Sequence, residues 1–497
     1  MTAVLASFPV LALVLGASSF VPAGNDLSSD HEAPAVRRFS NGTVAYAQDP
    51  VRTTGAAGGV SVVDFGRAAF GWLEVRSGNR RTDVGVRLGE RLTEGGRVCL
   101  NPGGTIRAIE TTVKPGEEWT RVPLVADKRN TEGRNRRAVA VRLPPEVGVL
   151  MPFRYAEVPA GVECRRLAVA WPIRQKVTLD SDDERLLRIW DLCTYSIRAT
   201  TFAGVYVDGD RERIPYEGDA YINMMGQLYG VDGDPELARR TVRHLLKYPT
   251  WPTEWRQHLI MCVWEDWHFT GDVSLAADCH DALVRDCLML DRARADGLLP
   301  SDPGSDLVDW PPVYRDGYDM NVPANAVVNA FHYRNLVEMG DLSAALGKTA
   351  DAERFRRRAE EVRRAFGRAF YDPELGLYVD GEGSRHASLH ANVAALDFGL
   401  VAEPAIREKV ADFIASRGMA CSPYFAQYLM EALFRFGRRD AAMKLLLDDG
   451  PRSWLGMLRQ GSTMTLEAWN ISDKPNLDWN HAWGAVPANI IPRFVNR

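Results

Sequence analysis

The sequence predicts a multidomain protein, with an N-terminal all-β sandwich over residues 36–175 and an all-α (α/α)6 toroid over 176–491. Two observations carry this reading. Between 36 and 172, runs such as GGVSVVDFG, GWLEVRSG, DVGVRLGERL, RAVAVRLPP and RRLAVAWPI recur at close spacing, punctuated by glycine and other turn residues. Short β-branched segments between turns are the pattern of a sandwich. From Ser181 onward the hydrophobic period becomes helical, with loops rich in Trp, Asp, Gly and Pro between the helices. Heptads and βαβ alternation are missing. An irregular α-solenoid is the second choice, weakened by the lack of a fixed repeat of about 34–45 residues. A chain of 497 residues is too long for one ordinary core.

Taken in order, the chain opens with an uncharged apolar run, Val4 to Ala17, too short to span a bilayer. Small residues and Val21-Pro22-Ala23 follow, so residues 1–23 are expected to be a signal peptide and the protein to be exported (periplasmic or secreted). The n-region carries no Lys or Arg, and 24–35 is too polar to continue a strand. The strand-like segments come next. The first helix is announced by Ser181 before acids, with Leu186, Ile189, Trp190 and Cys193 at helical spacing. Further helical stretches fall at 235–247, 273–292, 322–339, 341–367, 386–399, 404–416, 423–447 and 481–491. Arg356-Arg357-Arg358 alternates with acids and reads as a surface helix, and Glu265-Asp266 as a solvated helix face.

Composition bounds the partners. A net charge of −5 gives no electrostatic reason for nucleic acid or an anionic membrane. Seven scattered cysteines lack metal-ligand spacing and read mostly as buried thiols, with one disulfide left open. Nine histidines form no HxH or HExxH spacing, so no metal or other cofactor is expected in the chemistry, while loop carboxylates leave a structural calcium open.

The chemistry concentrates in two places. In GVYVDGDRERIPYEGDAY, over 204–221, Asp208, Asp210, Arg211, Glu212, Arg213, Glu217 and Asp219 crowd together among Gly204, Gly209, Pro215 and Gly218. The glycines and proline read as a loop that can aim carboxylates into a cavity; by charge alone it could equally be a solvated acidic turn. The second block, MTLEAWNISDKPNLDWNHAWGAVP at 464–487, sets Glu467 among Trp469, Trp479, His481 and Trp483. Two carboxylate sites joined by tryptophan-rich segments suit glycosidic cleavage, which needs one proton donor and one ionised carboxylate. Arginines would lower the Glu212 pKa, so Asp208, Asp210 and Asp219 are the expected counterweight; Glu467, with no basic neighbour nearer than Arg459 and Lys474, is the freer base.

These blocks resemble the α-L-rhamnosidases of glycoside hydrolase family 78. Arg211-Glu212-Arg213 and Gly218-Asp219 fall in the register of that family's catalytic loop, which implies Glu212 as general acid and Tyr216 as a pocket aromatic. Thr465-Leu466-Glu467 is similar to its T-x-W-E motif, which implies Glu467 as general base; Trp479-Asn480-His481, Trp264, Trp267, Thr270-Gly271-Asp272 and Asp309-Trp310 match further segments. The resemblance covers about 55–490 and implies release of terminal α-L-rhamnose, or a close relative, with inversion. It departs at Val207, where the family has Asp and this chain carries Asp208 one residue late, and at Gln257, where another family Asp falls; the family's C-terminal β-sandwich also follows a point where this chain stops. Expected substrate contacts are Asp208, Arg211, Tyr216, Asp219, Trp255, Asp309, Trp310 and His481, with Arg315 a further hydroxyl partner. Trp255 lies in PTWPTEWRQH, where two prolines argue against regular helix, and Trp264 reads as core. The competing readings are a non-catalytic carbohydrate-binding toroid and an (α/α)6 glycosidase or lyase of other specificity.

Overall fold

The computed structural model describes residues 36–78, 82–132, 134–136 and 138–496; the expected signal peptide at 1–23 lies outside them. The β-branched segments pair antiparallel around one long strand, Val60–Arg76. Its first part lies between Arg52–Ala56 and Met151–Pro159, and its last part between Glu163–Ala170 and Thr120–Arg121. Val84–Gly89 and Ala108–Val113 extend the first half, Val44–Gln48 and Arg37–Arg38 the second. Alternation along the strand gives each half an inner face. Val63, Phe65, Leu73 and Val75 meet Val84, Val86, Met151 and Phe153 in the sandwich core.

The other face of the sheet does not meet water. Phe70 and Trp72 pack with Tyr195, Ala199, Phe202, Val205, Val207 and Met464 of the helical part, in one core shared by both domains. The Phe70 and Phe202 rings stack at 3.9 Å between centroids. Tyr195 Oη donates to the Ala68 carbonyl, and a guanidinium nitrogen of Arg67 donates to Asp191 at 2.7 Å.

The helical part is a closed double ring. Glu217–Gly230, Thr253–Thr270, Ala326–Ala345, Leu389–Asp397, Ala426–Arg435 and Pro487–Ile490 pack in succession, and the last returns to the first. Glu184–Ala199, Glu236–Lys247, Ser274–Ala282, Thr349–Phe370, Pro404–Arg417 and Arg439–Leu446 lie outside them. Thr349–Phe370 buries only a stripe and lays i,i+3 and i,i+4 ion pairs along its wet side, Arg357 with Glu353 and Arg358 with Glu361 among them, while Arg356 reaches Asp341 of the preceding helix. Among the inner helices, Glu217–Gly230 and Thr253–Thr270 are buried nearly all round and show little amphipathic period. For that reason both are missing from the helical stretches read off the sequence.

Three expectations change here. Glu265 and Asp266 are buried, not solvated: Tyr229 Oη donates to Glu265 at 2.5 Å and Arg239 to Asp266 at 2.8 Å. Trp255 sits in the first turn of a regular helix, because Pro252 precedes Thr253 at a position where a missing N–H costs nothing. All seven cysteines are free, so the disulfide left open by the sequence does not form. Trp264 is half-buried against the core, stacked on His268. Among the described residues no helix is long and apolar enough to cross a membrane.

Because the domains share a core, unfolding should be a single transition, with near- and far-ultraviolet circular dichroism coinciding. Phe202→Ala, which leaves a hole between the domains, should lower stability by about 3–5 kcal/mol without splitting that transition.

Candidate active site

The two sequence blocks meet. The chain runs irregularly from Thr200 to Tyr216 and then enters the inner helix at Glu217. Acids in that first turn suit the positive helix end: Glu217 accepts the Thr250 amide at 2.9 Å, and Asp219 points inward to His481. Opposite lies the segment 462–486, also without long regular structure. Close approach explains two glycines. A Cβ at Gly209 would lie 2.3 Å from the Asn480 carbonyl, and one at Gly218 would lie 3.1 Å from the Trp255 ring.

Arg211 joins the two glutamates. One guanidinium nitrogen donates to Glu212 Oε1 at 2.7 Å and the other to Glu467 Oε1 at 3.0 Å, while its backbone N–H donates to Asp478 at 2.9 Å. The other oxygen of Glu212 accepts from Tyr216 Oη at 2.8 Å. Glu467 is buried, and its Oε2 accepts the Asp478 amide at 2.8 Å and sits 3.1 Å from Lys474 Nζ. Burial opposes its charge, but Arg211, His481 and Lys474 prevail and hold this carboxyl below its ordinary pKa. The sequence reading of Glu467 as remote from basic groups is corrected: Arg211 and Lys474 both touch it.

Asp208 fills the place where the family pattern had slipped. Val207 is buried in the interdomain core, so the next residue faces the site. Its Oδ1 accepts the Ile214 amide at 2.8 Å, and its buried Oδ2 has no partner. Burial first, then Glu212 and Asp478, push its pKa well above the usual carboxylate value. His481 Nε2 meets Asp219 at 2.6 Å. Burial works against the imidazolium, yet Asp219, Glu467 and Asp478 outweigh it and raise the His481 pKa. Its buried Nδ1 is unpartnered.

Asp210 and Arg213 turn the other way. They pair with each other at 2.6 Å, and Asp210 lies beside Arg107 and Asn130 of the β-domain. Asp210 is therefore not part of the counterweight expected beside Glu212. Trp255 packs edge-on against Tyr424 at 4.9 Å, and Tyr424 stacks on Trp483 at 5.6 Å, whose indole N–H donates to the Glu467 carbonyl. Asp309 is fully buried, and one of its carboxylate oxygens takes His390 Nε2 and the Ser422 amide while the other takes the Trp310 amide. It braces a loop, with Arg315 bonded to its carbonyl at 2.9 Å, while Trp310 is 36% exposed.

The sequence reading missed Asp478, Lys474, Tyr424, Asn135 and Glu90. Asn135 Nδ2 donates to Tyr216 Oη at 2.9 Å, and Glu90 accepts from Asn480 at 2.9 Å; both residues belong to the β-domain. Among the described residues one group could hold a metal, Asp208, Asp478 and His481, with ligand atoms within 4.8 Å of one another. A cation there would sit beside the backbone donor and guanidinium of Arg211, which disfavours it.

Burial raises the Glu90 carboxyl from 4.5 to about 8, with Asp210 and Asp478 adding to the effect. Its neutral form is therefore favoured in the fold, and that stability is full below pH 4.5 and is lost as pH rises towards 8. Glu90→Gln keeps the acceptor for Asn480 and cannot ionise. Relative to wild type it should gain thermal stability steadily between these pH values and level off above, as read by melting curves at each pH.

Comparisons with known proteins agree with this architecture. The bacterial α-L-rhamnosidase concanavalin-like domain model matches residues 55–121, and the bacterial α-L-rhamnosidase six-hairpin glycosidase domain model matches 174–495. An α-L-rhamnosidase of Alteromonas sp. (strain LOR) is 24% identical over 272 residues, half of this chain; the aligned part spans 27% of that protein's length. A rhamnosidase from Klebsiella oxytoca, solved with rhamnose bound, superposes with a TM-score of 0.68 at 15% identity over 91% of this chain and 96% of its own. The Streptomyces avermitilis α-L-rhamnosidase complexed with L-rhamnose gives 0.71 at 19% identity, over 90% of this chain and 44% of its own. At such identities the likeness to solved structures is one of fold. The six-hairpin model, however, spans most of the chain, and by it the protein belongs to the bacterial α-L-rhamnosidase six-hairpin glycosidase family.

Proposed function

We propose that the protein is an exo-acting glycoside hydrolase that releases terminal α-L-rhamnose, or a closely related sugar, with inversion. The observation that carries the reading is the span of Arg211 across Glu212 and Glu467. One guanidinium holds both carboxylates, at 2.7 and 3.0 Å, so a proton donor and a base share one site, and inversion is what the likeness to the family implies. Glu467, kept ionised by Arg211, His481 and Lys474, takes the proton of that water. Glu212, more exposed than Glu467, gives a proton to the leaving oxygen.

The sugar is held by atoms the protein leaves open. Asp208 Oδ2 and His481 Nδ1 are buried and unpartnered beside the glutamates, and with both pKa values raised the two groups favour their protonated forms and offer hydrogen-bond donors to ring hydroxyls. Tyr216, Arg211 and Asp219 shape the same wall, and Trp255, Tyr424 and Trp483 supply its apolar side. Trp310 offers an exposed ring further out, and Asp309 acts only by bracing it. The relatives solved with rhamnose bound favour that sugar over other deoxyhexoses. The same proposal includes a metal-free reaction, a carbohydrate as the partner rather than nucleic acid or membrane, and export with removal of residues 1–23; N-terminal sequencing of secreted protein tests the last.

The two glutamates should fail differently. Glu212→Gln loses the proton donor, so turnover of α-L-rhamnosides with poor leaving groups should fall by about 10²–10⁴-fold, and activated aryl rhamnosides much less. Glu467→Gln loses the base and should be slow on both. Steady-state rates on a graded aryl series check this; retention of turnover within about threefold in both variants would move the carbohydrate-binding reading to first place. Turnover should also survive exhaustive chelation, and restoration by one specific divalent ion would defeat the metal-free part.

A further inference from the structure

The β-domain reaches the proton donor through one side chain. A two-stranded hairpin pairs Arg134–Asn135 with Ala138–Val139, and Arg136 at its turn holds φ at 55°. A non-glycine residue in that region is strained and persists only where its surroundings hold it. They do so here. The Arg136 guanidinium lies 4.0 Å over the Trp251 ring and donates to the Gly304 carbonyl, both in the helical domain. Just beyond the hairpin, the Val141 amide donates to the Arg213 carbonyl of the catalytic loop at 2.9 Å. The hairpin is thus clamped at its turn, next to Asn135, and again just past its second strand.

We propose that Asn135 is a positioning residue for the general acid, acting through Tyr216; this rests on the glycosidase reading above. A phenol has one hydrogen. Asn135 Nδ2 donates to Tyr216 Oη at 2.9 Å, so the phenol's own hydrogen is left to point at Glu212 Oε2, 2.8 Å away. Burial, Glu212 and Asp208 together keep that phenol protonated, so it remains a donor. With Arg211 on Oε1 and Tyr216 on Oε2, the plane of the Glu212 carboxyl is set, and the proton it delivers leaves in one direction. The sandwich therefore takes part in catalysis, although its residues touch no reacting atom.

The test is the order of two variants in the full chain. Asn135→Asp has almost the same shape but presents only acceptors, so it draws the Tyr216 hydrogen away from Glu212. Asn135→Ala leaves a space that water can fill as donor. On rhamnosides with poor leaving groups, kcat should fall about threefold in Asn135→Ala and about tenfold or more in Asn135→Asp, the size of a lost hydrogen bond to a charged group. KM should change little, and activated aryl rhamnosides should be nearly unaffected. On a Tyr216→Phe background neither substitution should have a further effect, and that arm decides the matter if Asn135→Asp does not fold. Asn135→Asp milder than Asn135→Ala, or equal losses for all leaving groups, would mean a merely structural role and overturn the proposal alone. Wild-type protein inert on every rhamnoside would overturn the glycosidase reading and this proposal with it.

Discussion

One buried guanidinium organises the candidate site. Arg211 must satisfy Glu212, Glu467 and, through its backbone, Asp478 at once, and the pairing spans two segments that lie far apart in the chain. Guanidinium suits this work because its nitrogens form a rigid planar fork that a lysine cannot reproduce. Four nearby carboxylates overcome the cost of burying it and raise its pKa, so it remains a cation. The close approach at Gly209, the turn of Asp208 towards the site and the N–H that Asp478 offers to Glu467 all belong to the same joint.

The loop that carries Arg211 is held from behind by the β-domain. Its side chains divide between two partners. Asp210 and Arg213 face Arg107, Asn130 and the Leu150 carbonyl, whereas Asp208, Arg211 and Glu212 face the toroid. A loop without helical or sheet hydrogen bonds would otherwise be free to move, and every degree of movement would change the spacing of the two glutamates. The shared apolar core around Phe70, Phe202 and Val207 turns this contact into a rigid one.

Charge is distributed unevenly across the site. Glu467 is surrounded by cations and lies low, while Asp208, only one loop away, is buried among carboxylates and lies high. Asp478, at about 6, falls between them. Opposite pKa shifts in neighbouring carboxyls are how one site holds an ionised base and protonated groups at the same pH. Buried acids further out, Glu90 at about 8 and Glu217 at about 7, are held neutral at a cost that rises with pH.

Local pattern determined the division into a sheet-rich and a helical part and the crowding of Asp208, Arg211, Tyr216 and Asp219 about Glu212, while the resemblance to known motifs singled out Glu212 and Glu467 as the pair. Period, turn residues and residue type are short-range signals, and they survive in a single sequence. Tertiary structure decided the rest. Inner helices such as 217–230 and 253–270 are buried on all sides and lose the amphipathic period that would announce them. Asp309, read as a sugar contact, spends its oxygens on His390, Ser422 and the Trp310 amide. Asn135, Glu90, Lys474 and Asp478 look like ordinary surface residues in the sequence. Asn135 lies 81 residues from Tyr216, Glu90 390 from Asn480 and Asp478 267 from Arg211, and no local spacing records that proximity; Lys474, close to Glu467 in the chain, reaches it only through the fold of the 464–487 loop.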